Sequence, residues 1–152
     1  MPPTAPGSSD WTAIVDVLNR YATALDERRW ELLDEVFHEN CHMDFVAWQA
    51  DSRREAVAHI RSFLGGCGPS QHLLGNYEIE ISGDEATSRV YVRAFHLGRD
   101  ERQRTSYEMG GEYRDRLERG AEGWRIVERL GRARWQQGDP SILGPDRDRV
   151  PT

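Results

Sequence analysis

The segment WTAIVDVLNRYATALD, residues 11–26, contains the clearest helical periodicity in the sequence. Its apolar side chains recur at spacings of three and four, which places them on one stripe of an α-helix that runs to about Leu25. Ser8, Ser9 or Asp10 is expected to cap this helix, because such side chains accept hydrogen bonds from the first free backbone N–H groups. The stripe consists of Trp11, Ile14, Val15, Leu18, Tyr21, Ala22 and Leu25. One face of the helix is therefore predicted to pack against another layer.

Two further helices and a short strand are predicted in the first half of the chain. A second helix covers Trp30 to Phe37, and a third covers Arg53 to Leu64 before Gly65 and Gly66 end it. Between them, the segment from Cys41 to Trp48 has the alternation and the aromatic content of a strand. The first half is thus mostly helical.

From Leu73 onward the apolar period changes to two, which predicts β-strands. Helices followed by a run of antiparallel strands indicate an α+β fold. We expect about three helices on one face of a strongly curved, mostly antiparallel sheet that encloses a pocket. The strands are predicted to run from Leu73 to Ile81, Ala86 to Phe95, Thr105 to Leu117 and Trp124 to Trp135.

The length of 152 residues fits one domain, which we assign to residues 10–135. Residues 1–9 are rich in Pro, Gly and Ser and are predicted to form a loose tail. Residues 136–152 have no period and are predicted to form a second tail, which either covers the pocket mouth or stays mobile.

Charge and composition exclude several functions. The chain has 20 basic and 26 acidic residues, a net charge of -6, which argues against electrostatic binding of nucleic acid or anionic lipid. Every basic residue is Arg, so Schiff-base chemistry on a lysine is excluded. No apolar run is long enough to span a membrane, and Met1 to Asp10 lacks the features of a signal peptide, so a cytoplasmic location is expected. Cys41 and Cys67 are expected to pack as small apolar side chains.

The residues His38 to His42 match the H-E-x-x-H pattern of zinc proteases. That chemistry needs both histidines on one face of a helix, whereas this segment is predicted to pass from a helix end into a strand. Residues four apart in a strand are separated by about 13 Å. We therefore expect no metal site here.

Four side chains are candidates for chemistry in the pocket. Asp26 ends the first helix and either points into the space beneath it or caps the next helix. His72 opens a strand and, by alternation, shares a face with Leu74 and Asn76. Tyr21 lies on the apolar stripe, where core packing alone explains it. Arg129 needs a carboxylate or ligand if it points inward, and a one-residue slip in register would replace it by Arg114.

Three phrases carry a family resemblance: YATALD at 21–26, LDEVF at 33–37, and EYRDRL at 112–117 followed by GWRI at 123–126. They resemble the SnoaL-like and scytalone dehydratase-like branch of the nuclear transport factor 2-like superfamily, over about Trp11 to Trp135. The resemblance implies a cone-shaped α+β fold with a small-molecule pocket, and a homodimer or higher homo-oligomer.

Within this superfamily the candidate residues look similar to two groups of enzymes. Asp26, His72 and Arg129 match an Asp, a His and an Arg of hexachlorocyclohexane dehydrochlorinases and bacterial bile-acid dehydratases. Tyr21 before Asp26 looks like the pair in the bile-acid enzymes. The second histidine and second tyrosine of scytalone dehydratases have only loose counterparts, among Arg93, His96 and His42.

These residues predict a base-catalysed reaction without a cofactor. Asp26 would orient His72, and His72 would abstract a proton next to a carbonyl. Tyr21, Asn76 or Arg129 would donate to the resulting enolate. We expect a dehydratase-type lyase acting on a hydrophobic polyketide-like or polycyclic molecule, with a cyclase, an isomerase or a non-catalytic binding protein as alternatives. The expected substrate-binding residues are Asn76, Trp48, Phe45 and Arg93.

Overall fold

The computed structural model describes residues 7–146, which form two α-helices, three 3-10 turns and six strands. The helices are α1 (Ser9–Asp26) and α2 (Arg53–Leu64). The 3-10 turns are Trp30–Glu35, Asp100–Arg102 and Pro140–Ile142. The strands are β1 (Phe37–Asp44), β2 (Gln49–Ala50), β3 (Ser70–Ser82), β4 (Glu85–Leu97), β5 (Ser106–Gly120) and β6 (Gly123–Gly138).

The six strands form one sheet in the order β2-β1-β6-β5-β4-β3. Only the β1–β6 pair among them is parallel, and the other neighbours are antiparallel. Apolar side chains of both helices and of the inner sheet face form one core cluster. The predicted α+β fold, with helices on a mostly antiparallel sheet, is confirmed.

Helix α1 begins and ends as its sequence predicts. The Ser8 side chain accepts a hydrogen bond from the backbone N–H of Trp11 at 3.2 Å, so Ser8 is the cap among the three candidates. The helix ends at Asp26, and Arg28 then takes a φ of 55° that turns the chain away. The carboxylate of Asp26 consequently lies at the very end of α1.

Strand β4 alternates strictly between the core and the outer face of the sheet. Ala86, Ser88, Val90, Val92, Ala94 and His96 are buried on the inner side. Arg93 therefore faces outward, where its side chain pairs with Glu108 and lies over the Trp135 ring. The pleat thus places Arg93, an expected substrate-binding residue, on the side of the sheet opposite α1, and its binding role stays a prediction.

A bulge in β3 changes which residues face the core. The register with β4 shifts between Gly75 and Glu78, and Asn76 takes a φ of 52° there. His72 faces the interior before the bulge, whereas Ile79 does so after it. Asn76 is exposed, so the expectation that it shares a face with His72 is wrong. Its expected part in substrate binding stays a prediction.

The register across the sheet decides which arginine points inward. Arg129 of β6 lies opposite Asp115 of β5, and both are buried. Arg114 faces the outer side, where it pairs with Glu112. The inward arginine is therefore Arg129.

Several boundaries differ from the prediction. The second predicted helix is a 3-10 turn that ends at Glu35, and β1 begins already at Phe37, because Phe37, Cys41 and Met43 are buried together in the core. Phe45 to Trp48 form a turn rather than strand, with Val46 at a φ of 67°. His38 and His42 both lie in β1.

The two predicted tails are partly described. Residues 1–6 and 147–152 lie outside the described residues. The last strand continues to Gly138, beyond the predicted end at Trp135. The backbone of Gly144 then bonds to Phe63 and Gly66 at the end of α2, at 2.7 and 2.8 Å.

Among the described residues, no helix is long and apolar enough to cross a membrane. Cys41 and Cys67 are buried and unpaired.

Gly111 provides a test of the close packing between β5 and β6. A Cβ atom there would lie 2.0 Å from the backbone oxygen of Arg132, whereas at Gly75 it would meet nothing within 4 Å. We expect Gly111→Ala to lower the free energy of unfolding by about 1–3 kcal/mol, because the backbone must shift. Gly75→Ala should change it by less than about 0.5 kcal/mol. Urea denaturation measures both, and equal effects would contradict the packing described here.

Candidate active site

Asp26 and His72 form a hydrogen-bonded pair between the end of α1 and the start of β3. The distance from Asp26 Oδ1 to His72 Nδ1 is 2.6 Å, and Asp26 Oδ2 accepts the backbone N–H of His72 at 2.9 Å. The His72 side chain is 5% exposed and that of Asp26 is 22% exposed. Because Nδ1–H donates to the carboxylate, the proton-free nitrogen of the neutral ring is Nε2. His72 is thus held as a base with a fixed orientation.

His96 of β4 lies beside His72, with ring centroids 5.4 Å apart. Its Nδ1 is 2.7 Å from the hydroxyl of Ser70, and that hydroxyl accepts a hydrogen bond from Arg28 Nη2 at 2.9 Å. Arginine only donates, so the Ser70 proton is best placed on the His96 side. This network favours His96 with its proton on Nε2, the opposite tautomer to His72.

Burial lowers the pKa of His96 to about 4, and the neighbouring His72 and Arg28 act in the same direction while Asp26 opposes them. His96 is consequently neutral at physiological pH. The two neighbouring rings therefore offer different groups: an acceptor nitrogen on His72 and a donor N–H on His96.

Tyr21 extends the site along α1. Its ring centroid lies 6.5 Å from that of His72, and it also packs edge-on against Phe37 and Tyr113. Burial raises the pKa of Tyr21, although the charge of Arg129 opposes this effect. The phenol therefore remains protonated and able to donate a hydrogen bond.

Arg129 lies behind Tyr21 in a buried ion pair. Its Nε and Nη2 donate to the two oxygens of Asp115, both at 2.7 Å, and neither side chain is exposed. Burial alone would lower the pKa of Arg129, but the charge and hydrogen bonds of Asp115 raise it. The guanidinium carbon lies 4.4 Å from the centre of the Tyr21 ring and 4.2 Å from that of Tyr113. Arg129 thus supports Tyr21, and its Nη1 is buried without a hydrogen-bond partner among the described residues.

Phe45 and Trp48 form an aromatic stack with His59, and this stack packs against Tyr113. The Trp48 ring lies between those of Phe45 and His59, with centroids 4.7 Å away on each side. The Phe45 ring is 5.9 Å from that of Tyr113. The structure therefore connects this stack to Tyr21 through Tyr113.

A cleft of about 550 Å³ opens to the surface beside Asp26. Its lining includes Asp26 but not His72, Tyr21 or Arg129. A substrate that reached Nε2 of His72 would therefore displace side chains that now cover it. The lining comes from the ends of α1, α2, β3 and β4, the following loop and the C-terminal segment: Asp26, Arg28, Trp30, Arg61, Gly65, Cys67, Gly68, Pro69, Gly98, Arg99, Asp100, Gln103 and Asp146. Among residues 7–146, no group of three His, Cys, Asp or Glu side chains is arranged to hold a metal ion.

Comparison with known proteins assigns the family. Residues 7–130 match the model of the SnoaL-like domain. The chain belongs to the SnoaL-like family. Rv2910c, an uncharacterised protein of Mycobacterium tuberculosis, is 32% identical over 124 residues, which are 80% of this chain and 84% of the relative.

Solved structures share the fold of this SnoaL-like protein at lower identity. A candidate scytalone dehydratase from Novosphingobium aromaticivorans has a TM-score of 0.73 and 23% identity over 92% of this chain and 94% of its own. The hexachlorocyclohexane dehydrochlorinase LinA-type3 from Novosphingobium barchaimii has a TM-score of 0.73 and 15% identity, over 84% of this chain and 88% of its own. The fold of the superfamily expected from the sequence is thereby confirmed.

In the sequence, His96 was only a loose counterpart of a residue of scytalone dehydratases, and Ser70 and Arg28 were not among the candidates. The alternation of β4 places His96 on the inner face, and the register between β3 and β4 pairs it with Ser70. That register depends on the turn between the strands, so spacing along the chain did not reveal it. Arg28 reaches Ser70 only because of its positive φ.

The buried His96 predicts a loss of stability in acid for this SnoaL-like protein. Its pKa falls from an ordinary value of 6.5 to about 4 on folding, so between these pH values the unfolded chain binds a proton that the folded chain excludes. The free energy of unfolding should therefore decrease as the pH falls through this window, by at most about 3 kcal/mol from His96. Urea denaturation at pH about 7 and about 4.5 measures the difference.

His96→Gln should reduce that difference by about 2 kcal/mol, because glutamine does not titrate. An unaltered pH dependence in His96→Gln would show that His96 is not held neutral by burial.

Proposed function

We propose that this SnoaL-like protein is a cofactor-independent lyase of the dehydratase type, acting on a hydrophobic polyketide-like or polycyclic small molecule. The observation that carries the proposal is the 2.6 Å contact between Asp26 and His72, which leaves Nε2 of His72 as a base. We also propose a cytoplasmic location, as expected from the sequence.

The reaction begins when Nε2 of His72 removes a proton from the carbon next to a carbonyl group. Asp26 stabilises the imidazolium that forms, because its carboxylate already accepts the Nδ1–H. The carbonyl oxygen becomes an enolate oxygen and accepts hydrogen bonds from the N–H of His96 and the hydroxyl of Tyr21. Arg129 contributes by positioning Tyr21.

The second step expels the hydroxyl group on the next carbon. The enolate electrons form the carbon–carbon double bond as the carbon–oxygen bond breaks. The protonated His72 returns its proton to the departing oxygen, which leaves as water. His72 is neutral again, and no electron acceptor or donor is needed.

The names of two structural neighbours describe eliminations. A dehydratase removes water and a dehydrochlorinase removes hydrogen chloride, and both reactions break a carbon–hydrogen bond and lose a leaving group on the adjacent carbon. This shared pattern of bond breaking supports the lyase above the alternatives.

An isomerase or a cyclase would use the same first step. The pair of His72 and His96 favours an isomerase as the second candidate, because a donor N–H lies beside the base that would remove the proton. Products separate the three enzymes: loss of water, an unchanged mass with a moved double bond, or a new ring.

Proton abstraction is tested by exchange of the carbon-bound hydrogen in heavy water. Across a panel of polycyclic β-hydroxy ketones, we expect the wild type to catalyse exchange and loss of water. His72→Ala and Asp26→Asn should each lower the rate at least about a hundredfold, because each removes one half of the base. Nuclear magnetic resonance follows the exchange, and mass spectrometry follows the water.

The chain contains a matched control. His42 Nδ1 and Asp51 Oδ1 are 2.7 Å apart, yet the two side chains are 42% and 86% exposed. His42→Ala and Asp51→Asn should keep wild-type rates. Equal rates in wild type and in both His72→Ala and Asp26→Asn would show that the pair is not catalytic. A non-catalytic binding protein would then be favoured.

We also propose a homodimer formed through the outer sheet face, the side opposite α1. Five large apolar side chains are exposed there: Leu73, Tyr91, Phe95, Leu130 and Trp135. The charges of the face largely neutralise one another, because five arginines there pair with five glutamates: Arg89, Arg93, Arg114, Arg116 and Arg134 with Glu78, Glu108, Glu112, Glu118 and Glu128. Aromatic residues and arginine are enriched at protein interfaces. A second copy of the same face meets this one with little charge repulsion.

Sedimentation tests the dimer. The wild type should sediment at twice the mass of one chain, and Phe95→Glu should shift it to the mass of one chain, since a buried unpaired carboxylate opposes association. Phe63 of α2 is the matched control because it has the same exposure of 39%. Phe63→Glu should remain dimeric, and a wild type that sediments as a single chain at dilute concentration would contradict the proposal.

A further inference from the structure

The cleft beside Asp26 contains two arginines without a carboxylate partner among the described residues. Arg28 and Arg61 both line it, together with the ring of Trp30. Most other arginines of the described chain form ion pairs, as Arg53 does with Asp34. Arg28 and Arg61 therefore bring positive charge without an ion pair to the cleft beside Asp26.

Arg28 is partly buried, and it donates hydrogen bonds to neutral oxygens beside the Cys67 thiol. Its guanidinium donates to the backbone oxygens of Leu25 and Gly68 and to the hydroxyl of Ser70. Burial lowers the pKa of Arg28, while the neighbouring Cys67 and Asp26 act in the opposite direction. A half-buried cation with neutral partners is stabilised when an anion approaches it.

Arg61 presents its charge beside an apolar wall. Its guanidinium carbon lies 5.9 Å from the centre of the Trp30 ring, and the structure gives it no carboxylate partner among residues 7–146. A planar guanidinium binds carboxylates well, and the adjacent indole covers apolar atoms. A molecule with a carboxylate on a hydrophobic body fits both features.

The carboxylates of the cleft limit the charge of such a ligand. Asp26, Asp100 and Asp146 balance the three arginines of the lining, Arg28, Arg61 and Arg99. Asp26 already accepts hydrogen bonds from His72. A ligand with one negative charge therefore fits better than a phosphate dianion, which the aspartates would repel.

We propose that this cleft binds the carboxylate of a monoanionic, hydrophobic substrate at Arg28 and Arg61. The apolar body then extends towards the pair of Asp26 and His72. The carboxylate serves as a recognition group and takes no part in bond breaking. The identification of the ligand as a substrate rests on the proposed function, whereas anion binding stands independently.

The experiment compares 1-naphthylacetate with 1-naphthylacetamide, which differ in charge and hardly in shape. Isothermal titration calorimetry at low salt should show at least about tenfold tighter binding of the acetate by the wild type. Arg61→Gln should remove most of this preference, and Arg61→Lys should retain part of it because the charge remains.

Arg54 provides the matched control on the same helix. It is exposed, it does not line this cleft, and it lies beside Arg61 in a neighbouring groove. Arg54→Gln should keep the full preference for the acetate. An equal loss in Arg54→Gln would place the anion in that other groove, and equal affinity for both probes, or no binding of either, would overturn the proposal.

His72→Ala separates this proposal from the proposed reaction. The variant should bind the acetate as the wild type does and should fail in hydrogen exchange. Selective binding without exchange by the wild type would contradict the lyase alone. Exchange without selectivity for the acetate would contradict the anion site alone.

Discussion

The buried ion pair of Arg129 and Asp115 is the constraint on which the rest of the molecule depends. A guanidinium with no exposure is tolerated because both oxygens of Asp115 accept its hydrogen bonds and the Tyr21 and Tyr113 rings cover its faces. The pair joins β5 to β6 at one register. Its contact with Tyr21 also ties α1 to the sheet and so helps to fix the position of the helix that carries Asp26.

Environment, more than distance, distinguishes the candidate catalytic pair. Two His–Asp contacts of similar length occur in the described chain, one at Asp26 and His72 and one at His42 and Asp51. The first lies beside Tyr21 and the neutral His96, whereas the second lies at the surface. Hydrogen bonds gain strength where water is excluded, so equal geometry does not imply equal chemistry.

Periodicity along the sequence predicted the fold well, since α1, α2 and the antiparallel strands follow from the spacing of apolar residues. The pairing of Asp26 with His72 was expected from the family resemblance, and the structure brings the two together. What spacing could not predict was backbone geometry that departs from ideal values. The positive φ of Asn76 shifts the phase of β3, and that of Arg28 sends its side chain back to Ser70. The outward position of Arg93 has a simpler reason, because only the even-numbered residues of β4 face the core.

The bulge at Asn76 divides β3 into two sections of opposite parity. In the section before it, even-numbered residues such as His72 face the interior, and in the section after it odd-numbered residues such as Ile79 do so. The first section carries chemistry and the second carries core packing. An insertion or deletion of one residue at the bulge would rotate one section relative to the other. The number of residues at the bulge therefore fixes both faces at once, because one residue more or less would turn either His72 or Ile79 away from the interior.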